Sequence, residues 1–143
     1  MNILEKIINS KTQEIAEKAK ITPIDRLKDS QRLYAIRDFK QSLQNNHIDI
    51  IAEIKRKSPS MGDILPNSSP KEIAELYAAN GASAISILTD EPFFGGKLEY
   101  ISEVKTVVDI PILRKDFIVS EYQIWESYHA GADAILLIAD ALE

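Results

Sequence analysis

The chain has 143 residues, 45% of them hydrophobic and 27% charged, with a formal net charge of −5. That length defaults to one domain with a real core, and the acidic balance argues against general nucleic-acid binding, which needs a basic face. The absence of cysteine excludes disulfides and thiolate metal sites, and His47 and His129 lie too far apart in sequence to suggest a His-based metal centre.

The first twenty residues alternate apolar and charged side chains and contain no continuous apolar core of a signal peptide. Ile3, Leu4, Ile7, Ile8, Ile15 and Ala16 recur at helical spacing, so 2–20 is predicted to be an amphipathic helix. A polar connector with Pro23 follows, and a second short helix is predicted near 31–44. IDIIAEI (48–54) is a β-branched apolar run, as expected for a strand buried on both faces. SPKEIAELYAANGA (69–82) reads as a helix with Ser69 as N-cap, Pro70 as its first residue and Gly81 as its stop. SAISILT (83–89) is a second strand. EPFFGGK (91–97) reads as a loop carrying an aromatic pocket wall. KLEYISEVKTVV (97–108) is a helix and IPILRKDF (110–117) a third strand. SEYQIWESYHAGA (120–132) is a helix capped by Ser120 and stopped by Gly131, and DAILLIA (133–139) is a fourth strand. Nowhere does the chain approach the ~18 apolar residues of a membrane span.

The order β-α-β-α-β-α-β means parallel strands joined by right-handed crossovers. The joints NGASAISIL and AGADAILLI resemble each other and suggest a repeated unit. Two architectures fit, a doubly wound open sheet and a (β/α)8 barrel. The first strand is followed by KRKSPSMGDILPNSS, which is no dinucleotide-binding GxGxxG. A barrel needs eight strands, so on that reading the sequence holds half of one.

Residues two apart on a strand share a face. Glu53 and Lys55 therefore point together at the C-terminal end of the first strand. Leu113, Lys115 and Phe117 do so on the third, and Leu136 and Ile138 on the fourth. Parallel α/β enzymes place their sites at these strand ends. Two lysines and a carboxylate converging there would attract an anionic substrate and move protons on it. Arg56 and Lys57 read as surface charges, Trp125 as packing, His129 as a cation at a helix end, and Asp140 as a helix cap.

IAEIKRKSPSMGDI, SILTDEPFFGG, ILRKDFIVSEYQI and GADAILLIADAL, in this order and spacing, resemble successive motifs of indole-3-glycerol phosphate synthases. The resemblance covers essentially the whole chain. It implies a (β/α)8 barrel of tryptophan biosynthesis, a cytoplasmic carboxy-lyase without cofactor or metal. Its substrate would be 1-(2-carboxyphenylamino)-1-deoxyribulose 5-phosphate, closed to indole-3-glycerol phosphate with loss of carbon dioxide and water. It further implies that Lys115 is the general acid at the ketone oxygen. Lys55 would pair with Glu53 and handle the substrate carboxylate, with a share in the later dehydration. Glu53 would orient Lys55 and act as a base. Ser58 would sit in the loop approaching the substrate. Phe94, Phe117, Leu136 and Ile138 would wall the anthranilate ring, with Leu113 near them. Residues 1–47 would form a helical extension over the barrel mouth, and 48–143 the first half of the barrel. The resemblance departs from this sequence in one respect. A second-half glutamate, an asparagine and the main phosphate-binding loops have no counterpart here, so the expectation is the N-terminal half of a longer enzyme. Phosphoribosylanthranilate isomerase, another barrel of that pathway, fits the Glu53/Lys55 pair and RKDF less well. An inactive half-barrel that self-associates through open strand edges, or complements a partner, is the alternative from another class.

Overall fold

The computed structural model describes residues 2–142. Helix α1 spans Ile3–Ile21. Asn2 and Glu5 start it reciprocally: the Asn2 side chain accepts from the Glu5 N–H, and the Glu5 carboxylate accepts from the Asn2 N–H. A short α2 (Ile24–Asp29) follows. The helix predicted near 31–44 does not form; only a 3-10 turn at Gln41–Leu43 is present. Its residues are used otherwise. The Arg37 N–H donates to the Asp133 carboxylate, and the Arg37 guanidinium donates to the carbonyls of Ile110 and Lys105. The segment is thereby drawn across the N-terminal ends of the strands, and Leu33 and Ile36 are left exposed.

Strand β1 (Ile51–Ile54) leads into a small antiparallel hairpin of β2 (Lys57–Ser58) and β3 (Gly62–Asp63). Helix α3 (Pro70–Ala79) begins as predicted, with the Ser69 hydroxyl accepting from the Glu72 N–H and Pro70 in the first turn. Strand β4 (Ala84–Leu88), helix α4 (Glu91–Phe94), helix α5 (Glu99–Lys105), strand β5 (Ile112–Lys115), helix α6 (Glu121–Ala130) and strand β6 (Ala134–Ile135) complete the chain, with a 3-10 turn at Ala139–Ala141. Strand β6 is shorter than the predicted 133–139. The Leu136 N–H still donates to the Arg114 carbonyl, but among the described residues β5 is the only strand beside β6, and the chain then turns away. Asp140 lies inside that turn rather than capping a helix.

The main sheet is parallel, in the order β1-β4-β5-β6. A doubly wound sheet reverses direction at a switch point; this order runs straight through its four strands. One face packs under the helices. Ile54, Ile85, Ile87 and Ile112 meet Ala74 of α3 and Tyr100, Ile101 and Val104 of α5 there. Burying each isoleucine contributes about 1.5–3 kcal/mol, so this layer fixes the sheet. The other face carries Glu53, Ser86, Leu88, Leu113 and Lys115. The register sets Glu53 beside Ser86, Ser86 beside Leu113, and Leu88 beside Lys115. No helix among the described residues is long and apolar enough to cross a membrane.

Candidate active site

Glu53 is the penultimate residue of β1 and Lys115 the last of β5, two strands away, so alternation brings both side chains to the helix-free face at its C-terminal end. The Lys115 ammonium donates to Glu53 Oε2 at 2.6 Å. Lys55 Nζ lies 3.7 Å from Glu53 Oε1. The tighter partner of Glu53 is therefore Lys115, and one carboxylate spans both lysines. The Ser86 hydroxyl reaches the same Oε2 at 3.5 Å. Lys115 keeps 40% of its side-chain surface, Lys55 37% and Glu53 29%. An ion pair at such exposure contributes about 0–1 kcal/mol, so the fold has little need of it. The cluster is placed where a ligand can reach it.

Beside it lies a cavity of about 400 Å³, lined by Ile3, Leu4, Ile7, Lys55, the loop 58–61, Phe94 and Phe117. Lys55 joins the two features, because its ammonium faces Glu53 while its side chain lines the cavity. The Phe94 and Phe117 rings stand 6.0 Å apart, tilted by 35°. Ser58 is buried, and its hydroxyl accepts from the Met61 N–H, which ties the loop back on itself. Leu113 sits on the Glu53 face, half-buried. Leu136 and Ile138 lie beyond β6, half-buried and outside the lining of this cavity. A second cavity of about 470 Å³ opens elsewhere against α1, where Lys18 and Arg114 are already bonded to Glu126.

Phe94 does not ride on a loop. EPFFGGK folds into α4, capped by the Asp90 carboxylate, which accepts from the Phe93 N–H at 2.9 Å. Gly95 ends α4 with φ of 62°, and Gly96 passes so close to the Leu88 carbonyl that a Cβ would collide with it. Arg56 is not a free surface charge. Its guanidinium bonds Tyr100 Oη and the Leu65 and Pro66 carbonyls, stapling the loop after β1 onto α5.

Beneath the lysines lies an ionic layer that the sequence did not announce. Arg114 and Asp116 flank Lys115 and point to its opposite side, both buried. The Asp116 carboxylate accepts from the Arg114 guanidinium at 2.9 Å, the Thr89 hydroxyl at 2.6 Å and its neighbour's Phe117 N–H at 2.8 Å. Lys11 of α1, 2% exposed, places its ammonium 3.0 Å from Asp90, 3.2 Å from Asp116 and 2.9 Å from Glu14. Burial pushes the Asp116 carboxyl upward, but Arg114 and then Lys11 outweigh it and hold the group below the usual carboxylate range. Burial likewise opposes the charge on Lys11, yet Asp116, Glu14 and Asp90 hold its ammonium above the usual lysine range. Alternation around Lys115 could have flagged Arg114 and Asp116. Nothing local could have flagged Lys11, whose Asp90 and Asp116 partners lie far along the chain.

The sequence profile of the family described as indole-3-glycerol phosphate synthase matches residues 4–143. The chain is 46% identical to the indole-3-glycerol phosphate synthase of Burkholderia multivorans, over 99% of this chain and 56% of that protein. It is 46% identical to that of Bacteroides thetaiotaomicron, over 99% and 55%, and 44% identical to that of Laribacter hongkongensis, over 99% and 56%. It thus spans about half the length of the curated relatives it matches.

Proposed function

The chain belongs to the indole-3-glycerol phosphate synthase family, and we propose that it carries the acid–base part of an active site that closes the pyrrole ring of indole-3-glycerol phosphate. The observation that carries this reading is the Glu53 carboxylate held between Lys115 and Lys55 at the edge of an aromatic-walled cavity. In it, the anthranilate ring of 1-(2-carboxyphenylamino)-1-deoxyribulose 5-phosphate lies in the cavity against the wall that Phe94 and Phe117 form together. Lys55, at the cavity wall, faces the ring carboxylate. Lys115 protonates the ketone oxygen as the ring carbon bearing the carboxylate attacks the ketone carbon. Loss of carbon dioxide restores the ring electrons, and elimination of the new hydroxyl as water gives the indole. Glu53 holds Lys115 in place and takes a proton in the last step, with Lys55 sharing that step. Ser58 holds the loop near the ring. Leu113, Leu136 and Ile138 form the more distant apolar wall. On this reading the four parallel strands are the first part of a (β/α)8 barrel, preceded by the extension 1–47.

The test is formation of indole-3-glycerol phosphate by the purified chain, followed by its strong absorbance change. Turnover that disappears in Lys115→Met supports the reading. Turnover unchanged in that variant refutes it.

A second reading is favoured by one observation. Ile48 and Ile50 just before β1, Ile51 at its start and Leu137 beyond β6 are exposed apolar side chains beside strand edges that are unpaired among the described residues. In this reading the chain is an inactive half-barrel that associates with a second copy through those edges. A folded dimer without turnover would favour it.

A further inference from the structure

We propose that Lys11 is a positioning residue that sets the spacing of the cavity walls, an inference that rests on reading the Phe94–Phe117 cavity as the substrate site. An ammonium has three N–H donors. Those of Lys11 meet three carboxylates, of Glu14, Asp90 and Asp116. Two of these carboxylates are each fastened to an aromatic wall. Asp90 accepts from the Phe93 N–H and so starts the helical turn that carries Phe94. Asp116 accepts from the Phe117 N–H. Lys11 therefore fixes how far apart the two rings stand.

The same side chain fixes the third wall. Ile7 precedes Lys11 by one helical turn and lies on the same side of α1. Ile7 is buried and lines the cavity with Ile3 and Leu4. Thr89 also bonds Asp116, which ties the ends of β4 and β5 together. Among the described residues, however, Lys11 is the only ion-pair partner of Asp90. An apolar residue at position 11 could fill the space; it could not hold two carboxylates at a set separation.

The experiment uses the 143-residue chain with three substitutions: Lys11→Met, Lys11→Arg and Asp90→Asn. Asparagine caps a helix about as well as aspartate, so in Asp90→Asn the amide oxygen can still accept from the Phe93 N–H and keep α4, while an N–H donor replaces the charged oxygen that Lys11 holds. Circular dichroism establishes that each variant is folded. Two readouts follow: nuclear Overhauser contacts between the Phe94 and Phe117 rings, and affinity for anthranilate, followed by its own fluorescence. Lys11→Met and Asp90→Asn are expected to lose the ring contacts and bind anthranilate about tenfold more weakly, as a displaced wall requires. Lys11→Arg is expected to restore both. A folded Lys11→Met chain with ring contacts and affinity intact overturns the inference. Should Lys11→Met fail to fold, Asp90→Asn decides by the same two criteria. Failure of the unmodified chain to bind anthranilate refutes the substrate-site reading instead, while the ring contacts still decide whether Lys11 sets the spacing.

Discussion

At the scale of single residues, the ion pairs at the strand ends divide into two kinds with opposite consequences. Glu53, Lys55 and Lys115 are part-exposed, so removing an ammonium there costs about 0–1 kcal/mol of stability. If Lys115 is the general acid, removing it costs about 10²–10⁴ in rate. Lys115→Met is thus expected to abolish measurable turnover while leaving the urea midpoint nearly unchanged; a large loss of stability would mean that the pair is structural. Asp116 is the other kind. It is 2% exposed and joined to both Arg114 and Lys11. Asp116→Asn leaves buried cations under-compensated, at a cost of about 3–5 kcal/mol at pH 7. Its folded pKa lies below its unfolded one, so its contribution is complete above the unfolded value of about 3.9 and is lost as pH falls through the folded value. The stability gap between the unmodified chain and Asp116→Asn, measured in urea, should therefore narrow as pH falls below about 4. A gap that stays constant from pH 7 to 3 would show that Asp116 does not act through its charge. This division also marks what the sequence revealed. Alternation picked out Glu53, Lys55 and Lys115 because strand geometry is local. It could not pair Glu53 with Lys115 in preference to Lys55, since that choice depends on which strands lie side by side.

At the scale of elements, helices with a cap and a stop in their sequence were legible, and segments held by distant partners were not. Ser69, Ser120 and Gly131 act as expected; Gly131 ends α6 with φ of 101°. The segment 31–44 misled because Arg32 and Arg37 bond backbone carbonyls of α5, α6 and the strand starts rather than continuing a helix. Predicted as a loop, EPFFGGK proved to be a turn of helix because Asp90 lies one residue before it as a cap. That turn gives the sharpest test at this scale. The backbone at Gly96 passes against the Leu88 carbonyl at the end of β4, with no room for a methyl group. Gly96→Ala must lift the segment between α4 and α5 off the sheet, at a cost of about 1–3 kcal/mol. Phe94 moves with α4, so anthranilate affinity should fall in the same variant. An equally stable Gly96→Ala chain would show that α4 is not seated on the strand end as described.

At the scale of the whole molecule, the alternation of strands and helices made a parallel sheet legible, and the straight order β1-β4-β5-β6 rules out a switch point within it. What covers the outer strands was not legible, because alternation along a strand encodes its two faces and not the partner of its edge. The physical cost of those edges can still be tested. Among the described residues, β1 pairs only with β4 and β6 only with β5. Ile50 is 55% exposed at the β1 edge and Leu137 56% exposed beyond β6. An exposed strand edge with apolar side chains is a template for pairing, and covering one such side chain contributes about 1.5–3 kcal/mol, or roughly 10- to 150-fold in affinity. If a second copy covers the edges, the chain should sediment as a dimer, and its dissociation constant should rise by about the square of that factor in Ile50→Lys and again in Leu137→Lys, because a dimer holds each side chain twice. The two effects should add, because the substitutions strike opposite edges of one sheet. A chain that sediments as a monomer at every concentration would exclude pairing with itself. The turnover assay on that monomer would then measure what the four strands can do unassisted.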